Sequence, residues 1–186
     1  MTEFEKLLVT TTGILKKLEI DYIVTGGAAV VYWGRPRFTA DIDIVVELKN
    51  VHIGPLVREL RKALGRAAYI DEDMIRSEQS RGGEFNVIQP GSGLKIDFFI
   101  VGKDPFEKAR FSRAKTKKIG RQTVRFISPE DLILIKLLWH KEGGPAKQLE
   151  DIRSIIVIQG GKLDKTYLKK WAERQSTIDI LNQILD

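Results

Sequence analysis

The chain has 186 residues, of which 42% are hydrophobic and 30% charged, with a formal net charge of +6; this balance is typical of a soluble globular protein of one domain, or one domain with a small appendage. Cysteine is absent, which excludes disulfides, thiolate-bound zinc and thiolate chemistry. The N-terminus carries acids within its first five residues, and no apolar run approaches the roughly eighteen residues of a membrane helix, so we expect a cytoplasmic protein without a membrane partner.

The first half of the chain alternates predicted helices and strands. In chain order we predict a helix capped by Thr2 and ending near Ile20, a strand at 22–25, a short helix from a double glycine to about residue 34, a strand at 41–47, a helix at about 53–64 and a short strand at 67–70. The polar stretch 71–81 receives no assignment.

The second half begins with strands and ends with helices. The sequence GEFNVIQPGSGLKIDFFIV is typical of two strands around a Pro-Gly-Ser-Gly turn, and another strand fits 123–127. Ser128 before Pro129, with acids at the next two positions, marks a helix start. Helices are predicted at about 129–141, 145–158 and 164–185, so we divide the chain into a mixed α/β portion, 1–128, and a helical portion, 129–186.

Two aspartates on one predicted strand are the first candidate functional residues. Side chains alternate along a strand, so Asp41 and Asp43 share one face, with Cα atoms about 7 Å apart. A strand with its polar face in water would have the same pattern. Asp is nevertheless depleted in strands, and a divalent cation between two carboxylates would relieve their repulsion, so the pair also indicates a metal site.

A third carboxylate, Asp97, lies in the predicted strand LKIDFFIV, on the face opposite to its apolar residues. If this strand neighbours the first in one sheet, Asp97 comes beside Asp43. Three carboxylates around two metal ions suit in-line displacement at phosphorus, because one ion activates the attacking hydroxyl and both stabilise the transferring phosphate. Asp97 would contact the activating ion and could assist in removing the hydroxyl proton.

Gly26 and Gly27 lie between a predicted strand and a predicted helix. Such a corner presents backbone N–H groups and the positive end of a helix dipole to a phosphate, although a plain tight turn has the same sequence. The segment is neither a P-loop nor a dinucleotide fingerprint, since no Gly-Lys-Ser/Thr follows and GGAAVV lacks the third glycine.

The positive charge is concentrated in one segment. From Lys108 to Arg125 there are eight basic residues and no acid. This basic segment predicts attraction to the phosphates of a nucleotide or of a nucleic-acid backbone; the alternative is a solvated loop and strand face.

Together, GGAAVVYWGRPRFTADIDI and the distant KIDFF resemble the signature of the DNA polymerase β-like nucleotidyltransferase superfamily. The string is most similar to the minimal bacterial and archaeal branch that includes the abortive-infection (AbiEii-type) nucleotidyltransferases. That branch has a Gly-x-x-Arg-x-Thr element, here Gly34, Arg37 and Thr39. ISPEDLILIKLLW and KQLEDI resemble the helices that follow the core, except that Gln148 stands where an acid is usual. The resemblance covers about residues 20–155.

The resemblance implies an α/β (α+β) fold, with a mixed, twisted sheet, helices packed on it and a C-terminal helical region. It implies an enzyme that moves a nucleoside monophosphate from a nucleoside triphosphate to an acceptor hydroxyl, with Mg²⁺ as cofactor (two ions, for which Mn²⁺ can substitute). Asp41 and Asp43 would hold both metals, Asp97 the catalytic one, and Gly26 with Gly27 the triphosphate.

Four more residues complete the predicted nucleotide site. Thr39 belongs to the element before the Asp-x-Asp strand, and Arg37, Lys136 and Lys147 are candidates for phosphate contacts. For each of the three basic residues, an exposed charge without a ligand is an equal alternative, since most Lys and Arg are solvated.

The acceptor stays open at the level of the sequence. RNA is indicated by the basic segment, the resemblance implies tRNA in particular for some members of the branch, and a protein hydroxyl or a small molecule such as an aminoglycoside is an alternative. The branch also implies the toxin of a toxin–antitoxin pair, and therefore an antitoxin protein as partner. The other function considered is a non-catalytic module that binds nucleotide or RNA; three mutually repelling acids argue against it.

Overall fold

The computed structural model describes residues 1–102 and 104–185. Its helices are α1 (Glu3–Lys17), α2 (Gly26–Trp33), α3 (Asn50–Leu64), α4 (Glu72–Arg81), α5 (Pro105–Ser112), α6 (Pro129–Lys141), α7 (Lys147–Gln159), α8 (Lys165–Arg174) and α9 (Ile178–Leu185), with a 3-10 turn at Gly160–Lys162. Its strands are β1 (Tyr22–Val24), β2 (Asp41–Val46), β3 (Glu84–Gln89), β4 (Leu94–Ile100), β5 (Lys115–Ile119) and β6 (Gln122–Phe126).

The strands form one mixed sheet in the order β3-β4-β2-β1-β6-β5. β2 and β4 are parallel, as are β1 and β6, and the other neighbouring pairs are antiparallel. The predicted mixed α/β class is therefore confirmed. Because β2 and β4 are parallel neighbours, their N-terminal ends lie at the same end of the sheet. None of the helices in the described ranges is long and apolar enough to cross a membrane.

The described chain divides into two compact units. The first comprises Met1–Ala28 and Thr39–Phe126 and contains the sheet; the second comprises Ala29–Phe38 and the chain from Ile127 onwards. Residues 29–38 thus belong with the C-terminal helices. The predicted domains, 1–128 and 129–186, include residues 103 and 186, which lie outside the described residues, and this division stays a prediction.

In the first unit, β2 and β4 have one apolar and one polar face. Ile42, Ile44, Ile96 and Phe98 are fully buried, as expected for alternating positions that face the core. The polar positions are Asp41, Asp43, Lys95 and Asp97, and all four are half-buried or exposed. We call this polar surface the carboxylate face.

In the second unit, hydrogen bonds hold the segment 29–38 to the helical region. The Trp33 indole N–H donates to the carbonyl of Ile127 at 2.8 Å, and the Gln159 amide donates to the carbonyl of Trp33 at 2.6 Å. The N–H of Arg35 donates to the Ser154 hydroxyl at 2.6 Å. These bonds explain why a short segment far away in sequence belongs to this unit.

Both predicted helix starts are confirmed. The Thr2 hydroxyl accepts a hydrogen bond from the N–H of Glu5 at 3.1 Å, and the Glu5 carboxylate accepts one from Thr2 in return. The Ser128 hydroxyl accepts from the N–H of Asp131 at 3.1 Å. Such caps satisfy donors that have no partner within the helix.

Two stretches contain elements that the sequence did not predict. The polar stretch 71–81 forms α4, because Asp71 caps it and accepts a hydrogen bond from the N–H of Met74 at 3.0 Å. The basic segment contains the end of α5 and all of β5. A helix of mostly polar residues has little apolar periodicity, and β5 exists only by pairing with β6.

Two predicted elements differ from the structure. The single helix predicted at 164–185 is divided into α8 and α9 by a turn in which Ser176 has φ +53°. The short strand predicted at 67–70 is reduced to one isolated bridge between Tyr69 and Ile88.

Candidate active site

The parallel pairing of β2 with β4 places two of the three predicted carboxylates side by side. In the register of these strands Asp43 is the partner of Asp97, and Asp41 is the partner of Lys95. Neighbouring strands lie about 4.8 Å apart. The prediction that Asp97 comes beside Asp43 required these strands to be neighbours, and that condition is met.

The double glycine packs against one of these carboxylates. The N–H of Gly27 donates to Asp43 Oδ2 at 3.3 Å, and the backbone of Thr25 donates to the carbonyl of Asp43 at 2.8 Å. Gly26 has φ +57°, and a Cβ there would lie 1.8 Å from Asp43 Oδ2. The corner therefore requires glycine for its backbone conformation and for the space that the carboxylate occupies.

Lys95 lies within the carboxylate face. Its Nζ is 2.9 Å from Asp97 Oδ2 and 4.0 Å from Asp41 Oδ1. The hydrogen bond to Asp97 raises the pKa of Lys95, burial lowers it, and the charges of the three aspartates raise it further, with a net upward shift. Lys95 has no role predicted from the sequence, although strand alternation places it on the same face as Asp97.

Thr39 supports the start of β2. Its hydroxyl donates to the carbonyl of Asp41 at 3.3 Å, and the adjacent Ala40 carbonyl accepts from the N–H of Lys95 at 3.3 Å. Thr39 thus orders the backbone that carries the first aspartate.

The carboxylate face has the donor type that a magnesium ion requires. Asp41, Asp43 and Asp97 supply hard oxygen ligands from two adjacent strands, and Mg²⁺ binds proteins through one or two carboxylates together with substrate phosphates. Among the described residues, no group of three or more His, Cys, Asp or Glu side chains forms a ready-made metal site. The chemistry of the three carboxylate donors fits the ion, although Lys95 contacts Asp97 and approaches Asp41.

The second unit contains the predicted basic residues Arg37, Lys136 and Lys147. Arg37 forms a two-pronged ion pair with Asp151, with its Nε and Nη2 at 2.8 and 3.0 Å from the carboxylate oxygens. The buried Lys136 Nζ lies 2.8 Å from Asp151 Oδ2 and 2.8 Å from Gln148 Oε1. Lys147 is exposed at the start of α7.

Asp151 is the residue of this cluster that was not predicted from the sequence. Burial by itself would raise its pKa, but the hydrogen bonds and charges of Arg37 and Lys136 outweigh burial, so the pKa lies below its ordinary value. Gln148, which stands where the resembling branch has an acid, keeps an oxygen acceptor for Lys136 without adding a charge. The motif KQLEDI includes Asp151, but only the tertiary structure shows which cations its carboxylate contacts.

The basic segment is partly exposed. Lys108, Lys115, Lys118 and Arg121 are exposed. Arg125 instead pairs with Asp21 at 3.0 Å, and Arg110 pairs with Glu107. In the first unit, Arg121 also lines a groove of about 540 Å³ together with Lys16 and Lys17 of α1. The exposed part of the segment is thus centred on the hairpin of β5 and β6.

The fold is shared with solved nucleotidyltransferases. An antigenic nucleotidyltransferase-like protein from Paracoccidioides brasiliensis is 21% identical, covers 98% of this chain and 92% of its own, and has a TM-score of 0.58. ANT(2")-Ia in complex with adenylyl-2"-tobramycin is 17% identical over 93% of this chain and 99% of its own, with a TM-score of 0.59. The lincomycin-bound lincosamide antibiotic adenylyltransferase LnuA is 16% identical over 85% and 98%, with a TM-score of 0.54.

These likenesses, all at 21% identity or less, show that the chain shares the fold of solved nucleotidyltransferases. No curated protein matches the chain significantly. The family model described as nucleotidyl transferase AbiEii toxin, Type IV TA system, matches residues 13–176. The chain therefore belongs to the AbiEii family and is a nucleotidyltransferase, as the resemblance implied.

Proposed function

We propose that this nucleotidyltransferase is metal-dependent and moves a nucleoside monophosphate from a nucleoside triphosphate to an acceptor hydroxyl at the carboxylate face. The observation that carries the proposal is the register that pairs Asp43 with Asp97, beside a corner where Gly26 cannot be replaced without displacing Asp43. Asp41 is two residues away from Asp43 on the same face, so one face of the sheet presents three acids to a ligand.

In the proposed reaction, the acceptor oxygen forms a bond to the α-phosphorus while the bond from that phosphorus to the pyrophosphate oxygen breaks. Mg²⁺ held by Asp41, Asp43 and Asp97 would neutralise charge on the transferring phosphate. Asp97 accepts the proton of the attacking hydroxyl. The N–H groups of Gly26 and Gly27 bind the triphosphate, and for this Gly27 exchanges its hydrogen bond to Asp43 for one to a phosphate oxygen.

Thr39, Arg37, Lys136 and Lys147 remain proposed nucleotide contacts. The ion pairs to Asp151 hold Arg37 and Lys136 in defined positions, which favours a preorganised contact. To contact a phosphate as well, Arg37 or Lys136 must use an N–H group that does not donate to Asp151. Lys147 is exposed, so it can reach a ligand as a flexible point charge.

We further propose RNA, in particular tRNA, as the acceptor, and a toxin role with an antitoxin protein as partner. The exposed lysines of β5 and the neighbouring Arg121 support an RNA acceptor, because they place positive charge on one hairpin without intervening acids. The family description supports the toxin role. A protein hydroxyl or a small molecule is the alternative acceptor.

The test is pyrophosphate release from each labelled nucleoside triphosphate, with Mg²⁺ and a tRNA pool as acceptor. We expect transfer by the wild type and a loss of about a hundredfold or more for Asp43→Asn, since the variant loses a charged ligand of the metal ion that would neutralise the transferring phosphate. Asp73→Asn is the matched control, because Asp73 is exposed on α4 and the substitution changes the net charge equally. Equal activity of the two variants would contradict the proposed site.

A further inference from the structure

Lys95 has a position that the roles assigned to the aspartates do not explain. It is the strand partner of Asp41 and lies two residues before Asp97, so three side chains converge from two strands. Its ammonium contacts Asp97 at 2.9 Å and approaches Asp41 at 4.0 Å, and 38% of the side chain is exposed. A cation of the chain itself thus lies between two of the carboxylates that are proposed to bind metal.

We propose that Lys95 is an internal counter-ion that competes with divalent metal for the carboxylate face and makes tight metal binding depend on the triphosphate. This inference rests on the metal-dependent function proposed above. Lys95 is in this respect a positioning residue, since it acts through Asp41 and Asp97.

The competition follows from charge and geometry. A divalent ion on Asp97 and Asp41 would use the oxygens that face Lys95, and it would repel the ammonium at close range. The side chain of lysine is long and flexible, and its partly exposed position lets it turn away from the sheet. In the absence of nucleotide, an ammonium displaced by the metal loses its interactions with two carboxylates and gains only hydrogen bonds to water. This loss opposes metal binding.

A triphosphate changes this balance. It offers phosphate oxygens to the released ammonium, so the metal gains the carboxylates while Lys95 gains a new anionic partner. The same exchange applies to Gly27, whose N–H donates to Asp43 Oδ2 at 3.3 Å and is proposed to bind phosphate. Metal and triphosphate therefore favour each other's binding, and this coupling is reciprocal.

The experiment measures Mn²⁺ binding by the free-ion electron paramagnetic resonance signal, with and without a non-hydrolysable nucleoside triphosphate analogue. We expect Lys95→Met to bind Mn²⁺ alone about tenfold or more tightly than the wild type, and the gain in Mn²⁺ affinity from the analogue to shrink by the same factor. Lys95→Arg should resemble the wild type because it keeps the charge. Lys62→Met, an exposed position on α3, controls for the loss of one positive charge.

Lys95→Met with unchanged or weaker Mn²⁺ affinity would overturn the inference, and so would an equal gain in affinity for Lys62→Met. The proposed function is tested separately by Mn²⁺-dependent pyrophosphate release from the wild type. If the wild type catalyses transfer but Lys95→Met binds Mn²⁺ no more tightly than the wild type, the proposed function stands and the inference is refuted. Absence of both Mn²⁺ binding and transfer would refute both.

Discussion

The carboxylate face depends on the backbone at Gly26, which lies against Asp43. Its φ of +57° lies in the left-handed region, and its Cα faces Asp43 so closely that a Cβ would overlap the carboxylate. In the left-handed region, an L-residue other than glycine has its Cβ too close to the following carbonyl. One residue therefore determines both the turn into α2 and the position of Asp43.

We predict that Gly26→Ala lowers the free energy of unfolding by about 1–2 kcal/mol from the backbone alone and also abolishes nucleotide binding, because the new methyl group displaces Asp43. Gly54→Ala is the matched control: a Cβ at Gly54 meets nothing within 4 Å, and alanine in a helix is more stable than glycine by about 0.5–1 kcal/mol. Denaturant unfolding and nucleotide titration check both variants, and effects of the same sign would contradict the prediction.

At the scale of elements, Asp151 joins α7 to α6 and to the segment 29–38. Its carboxylate contacts Lys136 of α6 and Arg37 of the segment, and it is 4% exposed. Charges that are buried together stabilise a fold mainly by avoiding the larger cost of leaving one of them unpaired. The cluster therefore fixes these elements to one another within the second unit.

Asp151→Asn should lower the free energy of unfolding by about 3–5 kcal/mol at neutral pH, because it removes the carboxylate charge that pairs with the buried Lys136 and the half-buried Arg37. The pKa of Asp151 is lower in the folded than in the unfolded state, so its stabilising effect is complete above the unfolded pKa of about 3.9 and is lost as the pH falls through the folded pKa. The difference in unfolding free energy between wild type and variant should thus shrink below about pH 4.

Denaturant titrations at neutral and acid pH measure this difference. Asp179→Asn is the control, since Asp179 is exposed on α9 and its loss should change stability by only about 0.5 kcal/mol. A pH-independent difference for Asp151→Asn would show that its carboxylate does not carry the effect.

The hairpin of β5 and β6 has two explanations at the same scale. β5 is an edge strand, and lysines on an edge prevent pairing with other chains. Two of these lysines, Lys115 and Lys118, belong to the exposed part of the basic segment. Protection of the edge strand alone would account for the charge of these lysines. A measurement of RNA binding is needed to distinguish an RNA surface from this explanation.

At the scale of the whole molecule, the net charge of +6 attracts any polyanion, whichever face carries the charge. A loss of RNA binding after removal of positive charge therefore identifies the binding surface only when it is compared with a variant of equal net charge that is substituted elsewhere. Lys115, Lys118 and Arg121 are exposed on the hairpin, and Arg58, Lys62 and Arg66 are exposed on or just after α3.

We predict that replacing the three hairpin residues by Gln weakens binding of a labelled tRNA and lowers the slope of log affinity against log salt by about 2–3 units, since each lost phosphate contact contributes about 0.7–0.9. The three corresponding Gln replacements at α3 should change the slope much less. Fluorescence anisotropy over a salt series measures both variants. Equal slopes would show that the hairpin is only a solvated edge.

Much of the carboxylate face follows from local rules. Strand alternation is a property of the backbone, so the shared face of Asp41 and Asp43 could be predicted from their spacing of two residues. The helix caps at Thr2 and Ser128 are equally local, because donor and acceptor lie three residues apart. The polar helix α4 and the strand β5 could not be predicted in this way, since their patterns are weak and β5 depends on a partner strand.

The sequence by itself thus determined the mixed α/β class and the family, because these depend on residue type, short spacing and alternation. Only the tertiary structure decided that β2 and β4 are neighbours in register, that Lys95 lies between Asp41 and Asp97, and that Arg37 meets Asp151, 114 residues away. Contacts between distant segments depend on how whole elements pack, and neither residue spacing nor periodicity encodes that arrangement.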